Sequence, residues 1–74
     1  MSNKEYKRLI RILDILNMEG IEVSEIFYDI DSYTLGTSKY SMKVTEFLQK
    51  EKMKFTIDHK ENQHQWTISI NKTQ

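Results

Sequence analysis

The chain has 74 residues, no cysteine, no proline and two glycines, which excludes disulfides and thiolate metal sites and disfavours a loop-rich scaffold. Hydrophobic residues make up 38% and charged residues 30%, the balance of one globular domain over 1–74. Its core must be thin, since a chain this short buries only about 60% of the surface it exposes when unfolded. Eleven basic side chains match eleven acidic ones, and no apolar run exceeds a few residues, so neither a strongly basic nucleic-acid binder nor a membrane span is indicated.

Ser2-Asn3-Lys4-Glu5 has the form of a capping box, with Ser2 as N-cap. Tyr6, Leu9, Ile10, Leu13 and Leu16 follow at a helical period, Ile12 widens that face, and Ile15 falls outside it. Lys4, Lys7, Arg8, Arg11 and Asp14 fill the other side. The spacing predicts a helix over 3–19, stopped by Gly20, which takes the left-handed conformation at little cost. This opening is charged and lacks the apolar core of a signal peptide, so an intracellular, cytoplasmic location is expected.

Ile21-Glu22-Val23 alternates briefly, and Ser24 then has the chemistry of a second N-cap. Ile26, Phe27 and Ile30, at i, i+1 and i+4, predict a short helix over 24–31, although the same run is rich in β-formers and residues 22–35 also fit a first β-hairpin. Asp31 to Gly36 reads as a turn. Thr37 or Ser38 caps a helix over 38–51, with Tyr40, Val44, Phe47 and Leu48 on one face. From Met53 the period falls to 2. A turn between Glu61 and Asn62, or a four-residue loop, sets Ile57 opposite Trp66, Phe55 opposite Ile68 and Met53 opposite Ile70, an antiparallel hairpin with one buried face. No internal repeat is visible.

This order of elements resembles the winged helix-turn-helix family over Ile12 to Ile70. Leu13 to Gly20 (LDILNMEG) looks like the end of that family's first helix, and Ile21 to Ile26 like its short strand entering the second. Thr37 to Glu51 (TSKYSMKVTEFLQKE) looks like its recognition helix, and Lys52 to Ile70 like its wing. The expected fold class is therefore α+β, with three helices, a short strand and a C-terminal β-hairpin wing. The alternative is helix–hairpin–helix–hairpin.

The resemblance implies a double-stranded DNA-binding protein, a small transcriptional regulator from a compact genome, with helix 38–51 in the major groove. Ser38, Lys39, Ser41, Met42, Lys43 and Thr45 would read DNA, with Gln49 beside them, and Lys50, Lys54 and Lys60 would hold its backbone. Apolar residues on more than one side of the first helix suggest a homodimer through it, placing two recognition helices about 34 Å apart. Charge segregation supports a second reading. Glu22, Glu25, Asp29 and Asp31, with Tyr28 among them, form an acidic patch able to dock a basic protein partner, as small phage-type inhibitors do. His59 and His64 fall opposite each other in the proposed register, but two ligands are too few for a metal site. No phosphate loop, serine elbow or zinc-protease pattern is present, so neither an enzyme nor a cofactor is expected.

Overall fold

A computed structural model describes residues 3–63 and 65–72. The elements run α1 (Asn3–Met18), β1 (Val23–Tyr28), β2 (Ser32–Thr37), α2 (Met42–Lys50), β3 (Phe55–Lys60), a 3-10 turn (Glu61–Gln63) and β4 (Gln65–Asn71). The four strands form one antiparallel sheet in the order β1-β2-β4-β3. Both helices pack on one face of it. The element order is helix–hairpin–helix–hairpin.

This overturns the winged-helix expectation. Two helices stand where three were expected, and the terminal hairpin is half of a four-stranded sheet rather than a free wing. Residues 24–31 are mostly strand, not helix. A two-turn helix there would present Ile26, Phe27 and Ile30 with nothing to bury them, whereas pairing with β2 satisfies the backbone of the whole segment. Asp29 closes the turn, its Oδ1 accepting from the Ile30 N–H at 2.8 Å while its own N–H donates to the Ser32 carbonyl at 2.8 Å. The segment read as a turn over 31–36 is largely β2, the inner strand.

The last hairpin forms, with a register two residues from the expected one. Phe55 pairs with Ile70, Ile57 with Ile68 and His59 with Trp66. A shift of two keeps every side chain on its expected face, so the alternation was right while the turn was misplaced. Met53 is buried but precedes the strand. The expected His59–His64 pair is lost: His59 stacks on Trp66, ring centroids 4.3 Å apart. His64 lies outside the described residues, as does the Ser2 cap.

One core joins the layers. Leu9, Ile12 and Leu16 of α1 and Val44 and Leu48 of α2 meet Tyr33, Leu35, Ile68 and Ile70 of the inner strands. Tyr6 and Ile10, expected on the buried face of α1, are exposed, because the helix turns Ile12 rather than Ile10 to the sheet. Arg8 and Glu51 tie the two helices at 3.4 Å.

Both helices end in the same way. Gly20 has φ 71°, with its N–H on the Asn17 carbonyl and the Ile21 N–H on that of Leu16. Lys52 has φ 57°, with its N–H on the Gln49 carbonyl and the Met53 N–H on that of Leu48. In each case a left-handed residue turns the chain, and the next side chain, Ile21 or Met53, is buried with the core. Lys52 holds this conformation against its own Cβ. Lys52→Gly should therefore stabilise the fold by about 1 kcal/mol, measured by urea unfolding.

Tyr33 is 1% exposed, and its hydroxyl has no hydrogen-bond partner among the described residues. Burial raises its pKa above the ordinary 10.0, an effect partly offset by the nearby Arg8 charge. The folded state thus holds this proton more tightly than the unfolded state. Its contribution is complete below pH 10 and is lost as pH rises through the folded value. Tyr33→Phe should be as stable as the parent or up to about 1 kcal/mol more stable at pH 7, and should lose less stability than the parent at pH 11.

Candidate functional site

The residues expected to bind DNA do not come together. Ser38 and Lys39 sit in the loop after β2, before any helix begins. Ser38 is a structural clamp, its N–H donating to the Glu22 carbonyl at 3.0 Å and its Oγ accepting from the Glu22 N–H at 3.1 Å. Ser41 is 2% exposed and caps α2, accepting from the Val44 N–H at 3.1 Å and donating to Glu19. Thr45 Oγ1 donates to the Ser41 carbonyl and accepts from the Tyr40 hydroxyl, both at 3.1 Å. Three of the six residues assigned to reading bases are therefore engaged within the fold. Met42, Lys43, Gln49 and Lys50 are exposed on α2, where Lys43 and Lys50 border a shallow cleft with Arg11, Ile15 and Glu46. Lys54 and Lys60 flank the length of β3, roughly 20 Å apart.

The acidic set does come together. Glu22, Glu25, Tyr28, Asp29 and Asp31 all lie on β1 or at its ends. β1 is an outer strand, paired among the described residues only with β2. The bond from Asp29 N–H to the Ser32 carbonyl sets the alternation of the ladder. Glu25 and Phe27 direct their backbone groups at β2, and Ile26 and Tyr28 direct theirs outward. The register shift between Val23 and Glu25 interrupts pairing at one end only.

Apolar side chains flank this open edge on both sides. Ile26 and Tyr28 point toward the helices and Phe27 toward the open face, and Phe27 and Tyr28 are more than half exposed. Ile30, in the turn, is 87% exposed. On α1, Tyr6 and Ile10 continue the stripe of Leu13 and Asn17, which borders Val23. Sequence periodicity had assigned Ile26, Phe27 and Ile30 to a buried helix face. Their excess of β-formers was the signal for the edge.

The open face explains a glycine. Gln65 reaches from β4 across β2 to donate to Ser24 Oγ at 2.9 Å and to Glu25 Oε2 at 3.4 Å. It passes over Gly36, where a Cβ would lie 2.0 Å from its Nε2. Glu25 is thereby steadied on the face beside the edge. At the other end Lys72 donates to the Asp29 carbonyl and lies 5.9 Å above the Tyr28 ring.

Among the described residues no His, Cys, Asp or Glu cluster is placed to hold a metal, and no helix is long and apolar enough to cross a membrane. No family model matches the chain, and no curated protein matches it. Hydrogen exchange of the monomer in dilute solution should show the outward geometry of β1 directly: the Ile26 and Tyr28 amides should exchange at least tenfold faster than the Phe27 amide.

Proposed function

We propose that the protein is a small protein-binding module that takes a basic, extended segment of a partner as an added strand along β1. One observation carries this reading: β1 is an uncovered edge strand whose free backbone groups are lined by Ile26, Phe27 and Tyr28 and bounded by four carboxylates, Glu22, Glu25, Asp29 and Asp31. Strand addition uses these features together. Main-chain hydrogen bonds give affinity, the alternate side chains give specificity, and the charge steers a basic partner inward. A protein acting by occupying its partner's basic segment would be an inhibitor or an adaptor.

Groove insertion in duplex DNA draws less support. It needs a helix presented by a second helix behind it, and α2 is instead laid on the sheet, with Glu46 between Lys43 and Lys50 on its exposed side. The two readings separate on charge reversal. In a titration with a synthetic peptide of alternating lysine and valine, amide signals of Val23–Ile30 should move. Asp29→Lys should weaken that binding roughly tenfold, and Lys43→Glu should leave it within about twofold. Salt-sensitive binding to random duplex DNA, abolished by Lys43→Glu and indifferent to Asp29→Lys, would overturn the proposal.

A further inference from the structure

The two edges of this sheet differ in charge as well as position, and we infer that the chain assembles head to tail, the β1 edge of one copy pairing with the β3 edge of the next. The inference rests on the reading of β1 as an edge that accepts a strand, and it names a second copy as the occupant.

Direction permits the pairing. Every neighbouring pair in β1-β2-β4-β3 is antiparallel, so β1 and β3 run in opposite senses. A second copy set alongside in the same orientation brings its β3 antiparallel to β1, with its helices on the same side. The backbone permits it too. The Asn71 N–H donates to the Lys54 carbonyl at 2.9 Å, so Phe55, Ile57 and His59 direct their free groups outward, as Ile26 and Tyr28 do on β1.

One register then satisfies the side chains. With Ile26 opposite His59 and Tyr28 opposite Ile57, the half-buried helix-side row of β3 continues onto β1. On the open face the same register sets Glu25 against Lys60, and at the turn it brings Asp31 to Lys54, opposite charges in both cases. Asp58, the one acid on β3, falls against Phe27.

Like edges are far less suited to each other. Two β1 strands would bring eight carboxylates to one seam, relieved only by Lys72 of each copy, and two β3 strands would bring lysine against lysine. Ile26, Phe27, Tyr28 and Ile30 are all exposed along this edge, so the contact would also cover apolar surface. Such a contact joins different surfaces of the two copies, so it propagates until it closes into a ring or runs on as a filament.

The chain has no cysteine, so introduced thiols report the contact cleanly. Phe27 and Asp58 would form a non-hydrogen-bonded pair, with Cα atoms about 4.5 Å apart and within disulfide reach. Phe27→Cys mixed with Asp58→Cys should cross-link as a dimer on mild oxidation, neither variant alone should do so, and a chain carrying both should give a ladder of oligomers. In sedimentation, Lys54→Glu with Lys60→Glu should raise the concentration needed for association about tenfold, and adding Glu25→Lys and Asp31→Lys should restore it. The lysine double variant should still bind the lysine–valine peptide. Cross-linking of Phe27→Cys with itself in preference to Asp58→Cys would overturn the head-to-tail contact. A monomer at every concentration up to millimolar, with peptide binding intact, would overturn the assembly and leave the reading of β1 standing. A ladder from the chain carrying both cysteines, with no peptide binding by the dissociated lysine double variant, would uphold the assembly and overturn the basic-partner reading.

Discussion

The pairing of β2 with β4 is the constraint on which the rest of the structure depends. A two-stranded hairpin is at best marginally stable by itself, and a unit of one helix and one hairpin has a thin core. Joined along β2 and β4, two such units make a floor wide enough for both helices. Leu35 stands opposite Ile68 and Tyr33 opposite Ile70, and onto these four close Ile12 and Leu16 from one helix and Val44 and Leu48 from the other. Each hairpin gives its more deeply buried strand to this seam. The strands left outside, β1 and β3, therefore become edges, and whatever the molecule does with extended backbone it does there.

Seen about the β2–β4 seam, the fold is a repeat. Helix, strand, strand occurs twice, and the two units are related by an approximate two-fold axis between Leu35 and Ile68. The helix ends repeat with it, Leu16-Gly20-Ile21 matching Leu48-Lys52-Met53 in both bonding and burial. The symmetry is one of backbone. At the edges the side chains break it: one edge is bounded by Glu22, Glu25, Asp29 and Asp31, the other by Lys52, Lys54 and Lys60 with Asp58 and Glu61. Equal backbones with unlike charge are the condition for a contact between edges to be directional.

What could be read from the chain beforehand follows the strength of the local signals. The first helix and its Gly20 stop, the body of the central helix and the alternation of the last hairpin were legible because the periods are strong there, whereas the cap expected at Thr37 or Ser38 falls in β2 and the loop after it, and Ser41 caps a helix that begins at Met42. The second segment was not, because Ile26, Phe27 and Ile30 fit a helical and an extended spacing equally. The choice between them was made by β2, an unremarkable run of Ser, Tyr, Thr, Leu, Gly and Thr that was taken for a turn. Its role as the central strand depends on Tyr33 and Leu35 meeting Ile70 and Ile68, residues more than thirty positions away. The structural repeat was invisible for the same reason: it lies in topology, with Gly20 and Lys52 filling one role through different chemistry. The acidic patch was identified residue by residue from charge alone, while the apolar part of the same edge was assigned to the interior.

Sheets usually guard their outer strands, and this one guards only half of its perimeter. On β3, lysines at both ends and Asp58 between them deter indiscriminate pairing. On β1 there is neither lysine nor proline, and the single irregularity lies at its start. An edge with Phe27, Tyr28 and Ile30 exposed would be a general hazard were it neutral. On the proposed reading its carboxylates would make it selective instead: they would repel a second acidic edge, including its own copy's, and leave basic strands as the complement. Deterrence on one side and attraction on the other thus come from the same charge separation, and a net charge of zero conceals it. In the proposed strand addition the charges would decide which strands approach, and the apolar side chains with the outward amides of Ile26 and Tyr28 would decide how firmly an admitted strand is held.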